Sequence, residues 1–154
     1  MDSGAYTAYT KGVEIDVDEY IEFINSITSH VTIFAQVDKI PGQHRKSKTK
    51  EDILQAPEIS WENYLYMRDK VLEPSKLLPV FHRRENWKHL DRILSWVDDS
   101  GNHIPYIALA PTTDSTSKEK IEWLYQCYER IENSDNPTVK THLFGVSNSN
   151  IVKL

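Results

Sequence analysis

The sequence predicts an α/β fold, a partial (β/α) TIM barrel in which parallel strands alternate with helices. Three observations lead there. Short apolar runs alternate with amphipathic segments along the chain, the order that right-handed β-α-β crossovers turn into a parallel sheet. The strand runs are nearly continuous in apolar residues, as strands covered on both faces are. No Gly-x-Gly-x-x-Gly fingerprint follows any of them, which counts against a Rossmann domain. With 154 residues, 39% of them hydrophobic and 27% charged, the chain is expected to form a single domain over 1–154 with a real core.

The elements follow in order. Asp2-Ser3-Gly4-Ala5-Tyr6 could be the tail of a first strand. Val17, Tyr20, Ile21, Ile24 and Ile27 recur at helical spacing behind Asp16, which is placed as an N-cap. Val31 to Val37 reads as a buried strand ending at Asp38, and Pro41-Gly42 breaks it. A basic loop comes next. Ser60 is expected to cap a helix with Trp61, Tyr64, Leu65, Arg68 and Leu72 on its inner side, stopped at Glu73-Pro74. Leu77 to Phe81 is a short strand ending at His82. Asn86 caps a helix with Trp87, Leu90, Ile93, Leu94 and Val97 on one face, and Gly101 lies just past its end. Ile104 to Ala110 is the next strand. Ser117 caps a long helix carrying Ile121, Leu124, Tyr125, Tyr128 and Ile131, and Val139 to Val146 is the last strand.

Composition narrows the classes. No apolar run approaches the roughly 20 residues that cross a bilayer, so no membrane span is expected. The N-terminus lacks the basic and apolar regions of a secretory signal, and the cytoplasm is the expected compartment. Cys127 is the only cysteine, which excludes an intrachain disulfide and a cysteine-based zinc cluster. The net charge of −5 does not predict nucleic-acid binding, yet Arg45, Lys46, Lys48 and Lys50 fall within six residues. That run is either a solvated loop or a set of phosphate contacts.

In a (β/α) barrel functional groups gather at the carboxyl ends of strands. Here those ends carry Asp2, Asp38, His82, Leu109, His142 and Gly145. Singly each has a plain structural reading: Asp38 as a turn cap, His82 and His142 as half-buried histidines, Gly145 as relief of crowding. Their recurrence at successive strand ends favours function.

The order of these residues resembles the tRNA-guanine (queuine) transglycosylase family, in short blocks through most of the chain. Asp2-Ser3-Gly4-Ala5-Tyr6 resembles its Asp-Ser-Gly-Gly-Phe motif. Phe34 to Lys39 resembles the block that ends in its base-recognising aspartate, and Val80-Phe81-His82 falls where the family has a base-recognising glutamine. Ile107 to Ala110 resembles Gly-Gly-Leu-Ala, and His142 to Ser147 resembles Tyr-Leu-Met-Gly-Val-Gly. The family exchanges guanine for a 7-deazaguanine in nucleic acid, usually tRNA. A related branch, found in phages and bacterial gene clusters, acts on DNA.

The resemblance implies roles. Asp2 would be the proton-moving carboxylate and Tyr6 would stack on the base. Asp38 would accept hydrogen bonds from the base, and His82 would read its carbonyl edge. The backbone around Ala108 and Leu109 would contact the exocyclic oxygen, and His142 and Gly145 would line the wall. Nucleic acid and a guanine or 7-deazaguanine base are the implied partners. The departures are Ala5 for glycine, Tyr6 for phenylalanine, His82 for glutamine and the missing Gly-Gly before Leu109; together they point to a divergent branch, such as the DNA-modifying one. The sequence holds neither the family's Asp-x-x-x-Pro-Thr-Arg nucleophile motif nor its zinc site, so no cofactor and no base exchange by this chain alone are expected. The expectation is a fragment or truncated member. Two alternatives stand beside it: a non-catalytic subunit completing a barrel in a homo- or hetero-oligomer, and a metal-dependent barrel hydrolase using Asp2, Asp38, His82 and His142.

Overall fold

The structure is a computed structural model that describes residues 1–145. Val146, Ser147 and Leu154, which the strand and motif readings reached, lie outside the described residues. The fold is α/β, with helices alternating with short parallel strands, and no closed barrel is present among the described residues. The chain divides into two compact units, one over Met1–Pro79 and a second from Val80 onward.

In the first unit, helix α1 (Ala5–Lys11) and helix α2 (Val17–Ile27) precede strand β1 (Phe34–Ala35). Helix α3 (Lys50–Lys70) and strand β2 (Leu77–Leu78) follow it. β1 and β2 pair in parallel, Phe34 with Leu77 and Ala35 with Leu78. On the other side of β1 the backbone of Met1 takes a strand's place. Its ammonium donates to the Ile33 carbonyl at 2.7 Å, and its carbonyl accepts from Ala35 N at 2.9 Å, the pattern of a parallel neighbour. The strand order is therefore sequential, Met1 then β1 then β2, with helical crossovers between. Asp16 caps α2 as expected, accepting from Asp18 N and Glu19 N.

Two expectations for this unit are corrected. The strand is two residues, not seven, because the backbone beyond it bonds to α3 instead of a ladder. Val37 N meets Met67 Sδ at 3.4 Å, Asn63 Nδ2 donates to the Val37 carbonyl at 3.0 Å, and Lys39 N donates to Ser60 Oγ at 2.8 Å. Ser60 is thus no N-cap but a buried residue within α3. The helix starts eleven residues earlier, capped by Thr49, whose hydroxyl accepts from Asp52 N while the Asp52 carboxylate accepts from Thr49 N. Its early turns expose Ile53 and Leu54 and bury Pro57, so no inward stripe marked them.

In the second unit, strand β3 (Val80–His82), helix α4 (Trp87–Ser95), strand β4 (Tyr106–Ala110), helix α5 (Ser117–Glu132) and strand β5 (Lys140–Leu143) alternate. The parallel sheet runs β3-β4-β5, again in sequence order. Residues paired across a ladder share a face, so Phe81, Leu109 and Leu143 lie on one side and Val80, Ala108 and His142 on the other. Right-handed crossovers put both helices on the Phe81 side. The contacts agree: the Phe81 ring lies 5.6 Å from Trp87 and 5.9 Å from Trp123, and Tyr128 Oη is 3.0 Å from Thr141 Oγ1.

Here too the boundaries shift. The expected Leu77 to Phe81 strand is two strands separated by Pro79, which has no N–H for a ladder, and each half pairs within its own unit. Asn86 caps α4 as expected, but Gly101 sits in a separate turn in which the Asp98 carboxylate accepts from Ser100 N and Asn102 N. Thr116, not Ser117, caps α5, in a capping box with Glu119.

Candidate functional site

The first unit gathers two of the expected residues at neighbouring strand ends. Asp2 follows Met1 beside β1, and its Oδ1 accepts from Gly4 N at 3.2 Å. Gly4 holds φ 76 and turns the chain into α1, so the motif is a strand-end to helix-start junction that suits glycine. Asp38 is half-buried three residues past β1. Its neighbours Val37 and Lys39 have backbone groups tied to α3, which sets Asp38 on a rigid segment.

At the end of β1 stands Tyr20, which sequence places only on a helix face. Tyr20 donates its phenol to the Ala35 carbonyl at 2.9 Å. Burial, then the charges of Asp2 and of Asp38, push its pKa far above the ordinary tyrosine value. Both carboxylates therefore act on one phenol, which stays protonated throughout the physiological range. The set offers two acceptors and one fixed hydroxyl. Only an expectation about which side of α2 meets the strand end could have found Tyr20, because its helical spacing is equally that of core.

Tyr6 stands in the first turn of α1, 57% exposed, with its ring 6.4 Å from Tyr9. The basic loop packs against that helix. His44 meets the Tyr9 ring edge-on at 5.5 Å, and Lys48 Nζ lies 5.9 Å from its centroid. Arg45, Lys46 and Lys48 are exposed, and Lys50 is the first residue of α3, also exposed.

The second unit builds a different kind of strand end. His82 closes β3 and turns through Arg83 and Arg84 to Glu85, with Glu85 N donating to the His82 carbonyl at 3.2 Å. Arg84 holds φ 78, the left-handed value that lets this turn close. Glu85 then reaches back: Oε2 accepts from His82 N at 3.2 Å and Oε1 meets His82 Nδ1 at 2.9 Å. A carboxylate only accepts, so Nδ1 carries the proton. Arg83 pairs with Glu119 at 3.5 Å and Arg84 with Asp114 at 2.9 Å. The Asp114 carboxyl is held below its usual range, chiefly by Thr112 and then by Arg84, and Glu119 likewise by Thr116 and then by Arg83 and Arg84. The sequence reading singled out none of Arg83, Arg84, Glu85, Asp114 and Glu119; the three-residue spacing of His82 and Glu85 was the available signal.

Ala108 and Leu109 lie inside β4, buried, paired with β3 on one side and β5 on the other. The Leu109 carbonyl accepts from Phe144 N at 3.0 Å and the Ala110 carbonyl from Arg83 N at 3.0 Å. His142 shares a sheet face with His82 but stands two strands and two residues away, about 12 Å by strand spacing. Its ring packs edge-on against Phe144 at 4.8 Å, and Gly145 follows at φ 64. Among the described residues no group of three or more His, Cys, Asp or Glu is placed to hold a metal ion. Nor is any helix among them long and apolar enough to cross a membrane.

No family model matches this sequence, and neither the curated proteins nor the solved structures yield a match.

Proposed function

We propose that this chain carries the base-recognition residues of a guanine transglycosylase resembling the tRNA-guanine (queuine) transglycosylases, on part of a (β/α) barrel. Its substrates would be guanine and a 7-deazaguanine in tRNA or DNA. The observation that carries the reading is that Asp2 and Asp38 follow neighbouring parallel strand positions, Met1 and β1, with the Tyr20 hydroxyl bonded to the Ala35 carbonyl at the end of β1. The carboxyl ends of adjacent parallel strands are where a (β/α) fold gathers its functional groups. The sequential strand order of each unit is the order in which a (β/α) barrel strings its elements.

The chemistry suits the groups. In base exchange a nucleophilic carboxylate, whose family motif this sequence lacks, would bond to ribose C1′ as the C1′–N9 bond breaks. The departing guanine takes up a proton and the incoming base gives one back. One carboxylate that passes a proton both ways balances the two halves, and Asp2 is assigned that role. The Watson–Crick edge of guanine presents an amino group and a ring N–H side by side, which a carboxylate accepts as a pair. Asp38, on its rigid segment, is assigned to them.

Calorimetric titration with guanine and 7-deazaguanine, with adenine as control, tests this. Hydrogen bonds to a charged group are worth about 1.5–3 kcal/mol, so Asp38→Asn should weaken guanine binding about 10- to 100-fold. Asp2→Asn should leave binding within about threefold, since a proton-transfer residue acts mainly on rate. Guanine binding that is absent, or unchanged in Asp38→Asn, would overturn the proposal.

A further inference from the structure

We infer that α1 and the loop over residues 41–50 form a binding surface for an unpaired nucleic-acid strand, Tyr6 and Tyr9 supplying stacking faces and Arg45, Lys46 and Lys48 the phosphate contacts. The inference rests on the reading that the protein acts on nucleic acid, but not on base exchange itself.

Charge comes first. From Lys39 to Lys50 the sequence has five Lys/Arg and no Asp or Glu, in a chain of net charge −5. The acids that approach this stretch have other work: Asp52 closes the Thr49 capping box, and Glu14 faces Lys39 at 3.7 Å. The loop is also held in shape. Lys46 N donates to the Gln43 carbonyl at 3.1 Å, and Gly42, at φ 71, leaves room for the Lys48 side chain, whose Cγ would lie 3.1 Å from an added Cβ. Arg45 takes φ 60, a conformation in which glycine would be less strained, and presents an exposed guanidinium.

The rings decide which polymer this surface takes. Tyr6 and Tyr9 lie three residues apart on one face of α1, and that face meets the loop through the His44 and Lys48 contacts of Tyr9. Tyr6 is 57% exposed and Tyr9 half-buried, and aromatic faces bordered by cations are what unpaired bases stack on while phosphates follow the charge. In a duplex the base faces are already stacked and offer the rings nothing. A strand opened so that one base can be taken out of the stack is also the form that chemistry on a base requires.

Fluorescence anisotropy with labelled 15-nucleotide single strands, as DNA and as RNA, against the same sequence as a blunt duplex, tests the surface. The wild-type chain should bind a single strand at least tenfold tighter than the duplex at 50 mM NaCl. Three phosphate contacts imply a slope of log K against log salt of about −2. The combined Arg45→Ala, Lys46→Ala, Lys48→Ala variant should flatten that slope towards zero. Tyr6→Ala, at an exposed position, should weaken single-strand binding about 5- to 100-fold with the slope unchanged. Circular dichroism of each variant separates these losses from misfolding. Equal affinity for duplex and single strand, or an affinity indifferent to both changes, overturns the inference. Guanine binding by the triple variant tells the two readings apart: base binding that survives while strand binding never appears sinks this surface alone, and strand binding without base binding sinks the transglycosylase reading alone.

Discussion

The first unit sets two carboxylates at neighbouring strand ends whose charge bears on one buried phenol, whereas the second pairs the basic residues that close β3 with acids. Both units are built alike, with short parallel strands in sequence order and helical crossovers, so the fold does not explain the contrast. In the second unit His82, Arg83 and Arg84 meet Glu85, Glu119 and Asp114 in turn. Such a network fixes the loops and is consistent with structure alone. In the first unit Asp2 and Asp38 follow neighbouring parallel strand positions, and their charge bears on Tyr20, whose phenol is bonded to the Ala35 carbonyl. Two carboxylates brought to adjacent strand ends are the more informative arrangement of the two.

The sharpest test of the contrast compares one acid from each unit. Glu85 is 14% exposed and accepts from both the backbone and the ring of His82. Glu85→Ala should cost about 1–3 kcal/mol in urea unfolding, since it strands partly buried donors. Asp38→Asn, which keeps the side chain's size and one acceptor oxygen, should cost less than about 1 kcal/mol. If Asp38→Asn destabilises as much as Glu85→Ala, the carboxylates of the first unit are structural and the contrast collapses.

Alkali should separate the units by the groups they bury. Tyr20 and Tyr64 in the first unit and Cys127 in the second all have raised pKa values, chiefly through burial, Tyr64 to about 12 and Cys127 to about 12. Each binds its proton more tightly folded than unfolded. The stability this gives is complete below the unfolded value and is lost as pH rises through the folded one. From ordinary values of 9.0 for the thiol and 10.0 for the phenols, the loss should begin near pH 9 through Cys127 and steepen above pH 10 through the tyrosines. Tyr20→Phe should cost about 1 kcal/mol at neutral pH for the lost bond to the Ala35 carbonyl. It should also make the fall above pH 10 shallower and leave the onset near pH 9 in place. A melting-temperature series from pH 7 to 11 on both proteins reads this directly, and parallel curves would show that Tyr20 is not held protonated by its surroundings.

How much of this was legible in the sequence differs between the units for physical reasons. Helix starts with a side-chain acceptor and an apolar stripe behind them were readable, as at Asp16 and Asn86. The start of α3 was not, because its capping box follows the basic run and its early turns put Ile53 and Leu54 outward. Strand lengths were overread because residues such as Gln36 and Val37 bury their side chains although they lie outside the two-residue strand. Asp2 and Asp38 stood out as carboxylates at strand ends. Tyr20 did not, since a helix-face tyrosine looks the same in sequence whether its hydroxyl meets a core carbonyl or a functional cluster. Glu85 was obscured because its turn depends on Arg84 adopting a conformation that sequence does not announce in an arginine.

That arginine supplies the smallest prediction and the finest division between the units. Each unit holds one arginine at positive φ, Arg45 at 60 and Arg84 at 78. An L-residue there costs roughly 1–2 kcal/mol that glycine avoids, offset by about 0.5–1 kcal/mol for glycine's freedom in the unfolded chain. The Arg84 pair with Asp114 is well exposed on both sides and contributes little. Arg84→Gly should therefore raise stability by about 0.5 kcal/mol, and Arg45→Gly should do the same, both measured by urea unfolding. Their consequences elsewhere should diverge. Arg45→Gly should weaken single-strand binding and reduce its salt slope by about 0.7, one phosphate contact, while Arg84→Gly leaves both unchanged. If the two substitutions prove interchangeable in binding as well as in stability, the basic loop is no more than a solvated turn, and the first unit loses its claim to the nucleic acid.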